Sequence, residues 1–200
     1  MTSRRRQIED AASTLFGSRG YAATSMRDIA RLVDLQGGSL YAHVTSKEEV
    51  LWSIVEGAAA RFHDRVGPIA HADGAVPDRL RAMARAHVEV ITADRDRAGV
   101  FLFQWTALGP ERRAEIAKLR DDYEGYWRAV IAAGVERGEL TGTDPKLAAT
   151  LVLSALNGMA LWYRPDGALR PDQIADRYAD LLLGGLLRCE GSSSLEGAPR

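Results

Sequence analysis

TSMRDIARLVDLQGGSLYAHVTSKEEVL, residues 24–51, holds helical pieces separated by capping and turn signals, and its reading decides the fold. Thr24 and Ser25 can each N-cap a short helix carrying Met26, Ile29, Ala30 and Val33 at three- and four-residue steps. A tight turn around Asp34–Gln36 follows, where aspartate tolerates left-handed backbone, and a third helix is expected from Gly37 to His43. Ser46 and Glu49 have the spacing of a capping box, opening a fourth helix through about Val66 that buries Leu51, Ile54, Val55, Ala58 and Phe62. Gly37 and Gly38 open the third helix although glycine costs a helix interior about 1 kcal/mol relative to alanine. A helix that short is marginal alone, so neighbours must hold it and its outer side is presented.

Upstream, segment 3–18 places Ile8, Ala11, Ala12, Leu15 and Phe16 on one face, and Gly20 is a plausible C-cap. The three helices form a helix-turn-helix pattern with Met26, Ile29, Ala30, Val33, Leu35 and Leu40 inside. Outside remain Gln36, Gly37, Ser39, Tyr41 and His43, a set suited to DNA. The glycines let backbone approach closely, while Ser39 and Gln36 hydrogen-bond base edges, the amide having the geometry for adenine. Tyr41, His43 and Lys47 donate to phosphates, Lys47 from the positive end of the fourth helix. Thr24 and Ser25 complete this face, and Arg4, Arg5 and Arg6 are read as a basic arm preceding the first helix. Residues 1–47 carry seven Lys+Arg against four Asp+Glu, a modest local excess.

Helical periodicity continues nearly everywhere, so the fold class is all-α with about nine helices. After GPIAHADGAVPD (67–78), read as a loop or subdomain boundary, helices are expected near 77–93, 96–108, 110–138, 144–163 and 171–188. Pro110, Pro145 and Pro171 fall near first-turn positions, and Asp144 is a good N-cap. The division expected is a helix-turn-helix DNA-binding domain over 1–47, a larger helical domain over 48–189, to which the resemblance described next assigns ligand binding and dimerisation, and a polar, disordered tail over 190–200.

Residues 4–51 resemble the DNA-binding domain of the TetR family of bacterial transcriptional regulators. The likeness rests on Thr24–Ala30, ending in Ile-Ala before the turn, on the G-S-L-Y core at Gly38–Tyr41, and on Ser46–Val50 at the start of helix four. Asp34 replaces the usual turn glycine, Gly37 stands where lysine is frequent, and Ala42–His43–Val44 replaces a more aromatic triplet. These departures bear on sequence preference more than on fold. The resemblance implies a homodimeric, ligand-responsive repressor on a pseudo-palindromic double-stranded DNA operator, with the remaining helices forming an effector pocket and dimer interface. LNGMALWYRPDGAL (156–169) also resembles a branch whose effectors are commonly CoA thioesters.

The larger half supplies material for both roles. Mixed aromatic and polar residues in its middle helices suggest a pocket: His87, Phe101, Phe103, Gln104, Trp105, Tyr123, Tyr126, Trp127, Asn157, Trp162 and Tyr163. Arg164 or Arg128 at its mouth would meet CoA phosphates. Small residues (Ala148, Ala149, Ser154, Ala155, Gly158, Ala160, Gly184, Gly185) with Leu147, Leu151, Ile174, Leu181, Leu182 and Leu186 suit a helical homodimer interface.

Composition narrows the alternatives. At 46% hydrophobic and 26% charged the chain is globular, and a formal net charge of −1 means that any basic surface is local. Cys189 is the single cysteine, so no disulfide framework or CxxC motif exists, and it reads as a helix or interface residue. The histidines (43, 63, 71, 87) lack metal-ligand spacing, and no nucleophile with a neighbouring base or phosphate-binding loop is visible. The expectations are therefore no metal, no cofactor, no enzymatic activity, no membrane span and a cytoplasmic location. The rival reading is a small-molecule-binding or protein-interaction helical module that does not read operator DNA.

Overall fold

Ser3 begins the ordered helical architecture: its hydroxyl accepts the Arg6 N–H at 3.3 Å and caps α1, Arg4–Arg19. In the computed structural model, which describes residues 3–35, 37–140 and 144–186, every regular element is helical. The basic arm is thus the first turn of α1, because Ser3 satisfies the donors that a flexible arm would leave to water.

Ser25 caps α2, Met26–Leu32, through a reciprocal box in which Asp28 accepts from the Ser25 backbone. Asp34 then adopts φ +53°, the left-handed turn expected of it. α3 is one turn, Gly37–Leu40, so Tyr41 and His43 lie in the turn that follows and not in the helix. Leu40 and Val44 are buried and anchor that turn from both sides.

α4, Lys47–Ala70, starts where expected, with Ser46 accepting from Glu49 N–H at 3.0 Å. The return bond is displaced by one residue, since the Glu49 carboxylate takes the amide and hydroxyl of Thr45. α4 also runs past Val66 through Pro68, which the sequence pattern assigns to a loop. A proline in the last turn removes one donor only, and Arg79 donates to the Ala70 carbonyl while the His71 ring bonds the Gly67 carbonyl at 2.7 Å. The loop shrinks to residues 71–75.

The remaining elements are α5 (Val76–Ala93), α6 (Arg95–Phe103), a 3₁₀ turn (Trp105–Ala107), α7 (Pro110–Glu136), α8 (Pro145–Asn157), α9 (Met159–Trp162) and α10 (Pro171–Leu186). The expected 144–163 helix divides at Gly158, and Asp144 caps α8 through the Lys146 and Leu147 amides. Thr141–Thr143, Cys189 and the expected tail lie outside the described residues.

One apolar core runs from Ile8 to Leu183. α4 is its spine: Leu51 and Ile54 join the region around α1, while Phe62 and Val66 join α5 and α7. Ala148, Ala149 and Ile174 are buried in this core, which corrects their assignment to a dimer face.

Candidate DNA interface and effector cavity

The helix-turn-helix holds its inner face as the sequence implied. Ile29, Ala30 and Leu40 are buried, with Met26, Val33 and Leu35 packed against them. Ser39, Tyr41 and His43 are exposed on the other side, Tyr41 at 56%. Gln36 and the side of Gly37 lie outside the described residues. Gly38 is informative because, among the described residues and apart from its chain neighbours and the backbone of α3 itself, no atom lies within 4 Å of where its Cβ would be. Nothing described inside the chain demands glycine there, which leaves the outer approach as its reason.

Other residues of the expected DNA-facing set are committed elsewhere. Thr24 is buried and its hydroxyl donates to the Gly20 carbonyl at 2.9 Å, closing the α1–α2 connection. Lys47 donates to the Tyr21 and Thr24 carbonyls at 2.9 and 2.8 Å, with its ammonium 4.2 Å from the Tyr21 ring centroid. It is a strut under the turn, an ammonium satisfying backbone oxygens that would otherwise be orphaned. Arg5 pairs with Glu9 at 3.3 Å and Glu49 at 2.9 Å, while Arg6 is exposed on the first turn of α1. Ser25 is exposed, but its hydroxyl donates to Asp28.

The second candidate site is a cavity of about 290 Å³ between α4, α5, α6, α7 and α8. Its floor is Phe62, His87, Phe101 and Tyr123, all buried, and its rim is Arg120, Asp121, Glu124, Thr150 and Ser154, with Asn157 half-buried between. His87 Nδ1 and the Tyr123 hydroxyl are 2.7 Å apart. Burial holds His87 neutral, its pKa lowered to about 3, and the same burial pushes the Tyr123 phenol up. Arg120 is the rim's cation, its guanidinium 5.2 Å from the ring centroids of both Phe101 and Trp105.

Of the expected pocket residues, His87, Phe101, Tyr123 and Asn157 therefore converge, and Trp105 contributes by holding Arg120. The others do not. Trp127 is buried beside Leu80 and Leu183 around a separate small space. Trp162 is half-exposed and stacks on Tyr178 at 6.3 Å, and Arg164 is tied to Asp166 at 2.8 Å in an exposed loop. Gln104 faces the helix-turn-helix, accepting the Tyr21 N–H at 3.2 Å. Sequence reasoning misses Phe62, Arg120 and Thr150; the signal available is helical register, Arg120 standing one turn before Tyr123 and Thr150 two turns before Asn157.

With both sites in place, comparison with known proteins is decisive. Residues 8–54 match the model described as bacterial regulatory proteins, tetR family, and residues 73–186 match the tetracyclin repressor-like C-terminal domain. The chain belongs to the TetR family. It is 29% identical over 187 residues to the HTH-type transcriptional repressor KstR2 of Rhodococcus jostii, covering 92% of each chain. It superimposes on the TetR regulator PfmR of Thermus thermophilus with a TM-score of 0.82 and 35% identity, covering 90% of this chain and 99% of that one. AibR, solved in complex with isovaleryl coenzyme A and operator DNA, gives a TM-score of 0.82 at 27% identity over 90% of this chain and 98% of that one.

In this TetR chain α6 joins the two sites. The last turn of α6 gives Phe101 and Leu102 to the cavity. Its first turn gives Arg97, which is buried and ion-paired with Asp10 at 2.7 Å and Glu9 at 3.4 Å on α1, and with Asp94 at 3.2 Å at its own N-cap. Asp96 accepts from Thr14 at 2.7 Å, adding a second tie to α1. Glu9 also accepts from Ser53 at 2.7 Å, so the same carboxylate ties α1 to α4.

Proposed function

We propose that this chain is a homodimeric repressor that holds a pseudo-palindromic operator through α3 and the turn behind it, and releases it when a CoA-thioester effector fills the cavity. The observation that carries the reading is α6, one helix that lines the cavity and grips the DNA-binding unit through Arg97. A ligand pressing on Phe101 changes the seat of Arg97 on α1 and so the placement of α3. Such a ligand shifts the equilibrium only by its differential affinity for the two arrangements.

On the DNA side, Ser39, Gln36, Gly37 and Gly38 face the bases, and Tyr41, His43, Arg6 and the end of α1 carrying Arg5 face phosphates. The exposed placement of Ser39, Tyr41, His43 and Arg6 supports this assignment. Lys47 serves that surface from beneath. We divide the chain at the Ser46 cap, with 1–47 reading DNA and 48–189 binding effector and partner. Support for the dimer comes from α8 and α10, which leave Leu147 (69% exposed), Leu151 (58%) and Leu181 (77%) outside the chain's own core. Two copies joined there place their recognition helices about one DNA turn, ~34 Å, apart.

The CoA-thioester class is supported by the isovaleryl coenzyme A bound in the AibR complex and by Arg120 at the rim, where Arg164 was expected. No described helix is long and apolar enough to cross a membrane, and a DNA-binding regulator works in the cytoplasm without catalysis. Gel shifts of the gene's own upstream region, with and without acyl-CoA, test the reading. A complex that forms at low salt and dissolves on adding an acyl-CoA is expected. Retention of no upstream fragment would favour a ligand-binding module that does not read DNA.

A further inference from the structure

The floor of the cavity carries more polar chemistry than an alkyl chain needs. His87 is 1% exposed, and its Nε2 has no hydrogen-bond partner among the described residues. The Asn157 Oδ1, on the wall of the same cavity, is buried and equally without one. Asn157 lies close enough to act on His87 as a hydrogen-bond acceptor, which opposes the effect of burial, although the pair falls short of full hydrogen-bond geometry. Buried polar atoms left open in this way are destabilising, and a lined cavity beside them is where their partner goes.

The Tyr123 contact admits either ring tautomer, and the acceptor oxygen of Asn157 beside the ring favours the one protonated on Nε2. With the phenol donating to Nδ1, the neutral imidazole carries its proton on Nε2 and offers one donor to the cavity. The Asn157 oxygen offers one acceptor. A ligand hydroxyl satisfies both at once, accepting from His87 and donating to Asn157. A ketone satisfies His87 alone, and a methylene satisfies neither. A carboxylate is disfavoured, because no cation stands on the floor and Arg120 lies at the rim.

We infer that His87 and Asn157 form a hydroxyl-recognition site, so that the effector is an acyl group bearing a neutral hydroxyl on the part that reaches the cavity floor. The inference rests on the cavity being the effector site, and it adds a requirement on the acyl tail that the CoA-thioester reading does not contain. Phe62 and Phe101 pack the carbon skeleton, and the polar pair sets its register.

Calorimetric titration of the full chain with octanoyl-CoA, (ω−1)-oxo-octanoyl-CoA and (ω−1)-hydroxyoctanoyl-CoA, and with the methyl esters of the same acids, tests this. The expected order is hydroxyl over ketone over plain chain, with about tenfold or more between the first and last, as expected for buried groups that gain or lack a partner. In His87→Phe the preference for hydroxyl over plain chain collapses. Asn157→Leu, at a half-buried position, gives a second variant whose hydroxyl-over-ketone margin disappears. Equal affinity of the wild-type chain for all three thioesters overturns the inference and leaves the CoA reading standing. Binding of the esters with hydroxyl preference, but of no thioester, overturns the CoA reading and upholds the inference. Binding of none of the six overturns both.

Discussion

The DNA-facing surface and the effector cavity differ in how the chain assembles them. The first is drawn mostly from one stretch of sequence between Gln36 and His43, joined by the first turn of α1, and its exposed members Ser39, Tyr41, His43 and Arg6 lie on the outside of a small scaffold. The second needs Phe62, His87, Phe101, Tyr123 and Asn157 from five separate helices, with polar groups turned inward. Water satisfies the outer set at little cost. In the inner set the His87 Nε2 and the Asn157 Oδ1 have no partner among the described residues, so a molecule in the cavity has more to gain there than at the surface.

The largest expected effect comes from breaking the tie between them. Arg97→Met leaves Glu9, Asp10 and Asp94 facing a vacated, desolvated position, and losing one partner of a buried ion cluster costs about 3–5 kcal/mol. Urea denaturation should show that loss. Asp10 is half-exposed and offsets some of it by hydration, so a cost below about 1 kcal/mol would mean that α6 does not seat α1 through Arg97. Any folded Arg97→Met protein should still bind effector but lose effector-dependent DNA release.

How much of this is legible in the sequence follows from the same contrast. Asp34 and Ser46 speak for themselves because backbone handedness and capping are local. The first turn of α1 reads as an arm because three arginines outweigh Ser3, whose cap bond decides the matter. Lys47 reads as a phosphate donor because its two carbonyl partners lie more than twenty residues back in sequence. Trp162 looks like a pocket aromatic beside Asn157, yet the helix divides at Gly158 and Trp162, at the end of α9, stacks on Tyr178. Arg120 is hidden among the charges of α7, where only the packing of α6 shows which one turns inward.

A smaller effect separates the interiors of the two regions by pH. The folded pKa of His87 is about 3, below its ordinary 6.5, so the unfolded chain takes up a proton first as pH falls. The stability contribution is complete above pH ~6.5 and is lost progressively toward pH ~3, amounting to about 2 kcal/mol between pH 7 and 5. Urea midpoints across that range should fall accordingly, and His87→Phe should flatten the dependence. Glu49, held below the usual carboxylate range first by Thr45 and then by Arg5, acts in the same direction but lower, losing its contribution as pH falls below about 4.5.

Next in size are two residues of the DNA-binding unit placed on opposite sides of the turn. Tyr41→Phe should leave stability unchanged and weaken operator binding about tenfold, as expected for one lost hydrogen bond to a phosphate. Lys47→Ala should do the reverse, lowering the stability read from urea denaturation by about 1–2 kcal/mol for two orphaned carbonyls. The slope of log affinity against log salt should stay put in Lys47→Ala and fall by about 0.9 in Arg6→Ala. A salt slope that drops in Lys47→Ala would return the ammonium to the DNA.

The smallest change sharpens the comparison most. Gly38 occupies a helical position with open space around it, so Gly38→Ala meets no atom of the chain and trades a poor helix former for the best one. In a helix this short, expected to gain only about 0.5 kcal/mol, the methyl should raise the denaturation midpoint slightly. Operator affinity should nevertheless fall, because the same methyl stands between the backbone of α3 and whatever approaches it. A residue whose replacement helps the fold and harms binding is explained only by the partner outside. If Gly38→Ala bound the operator as well as the wild-type chain, close approach would have to be assigned to Gly37 alone, and the double glycine would lose half of its meaning.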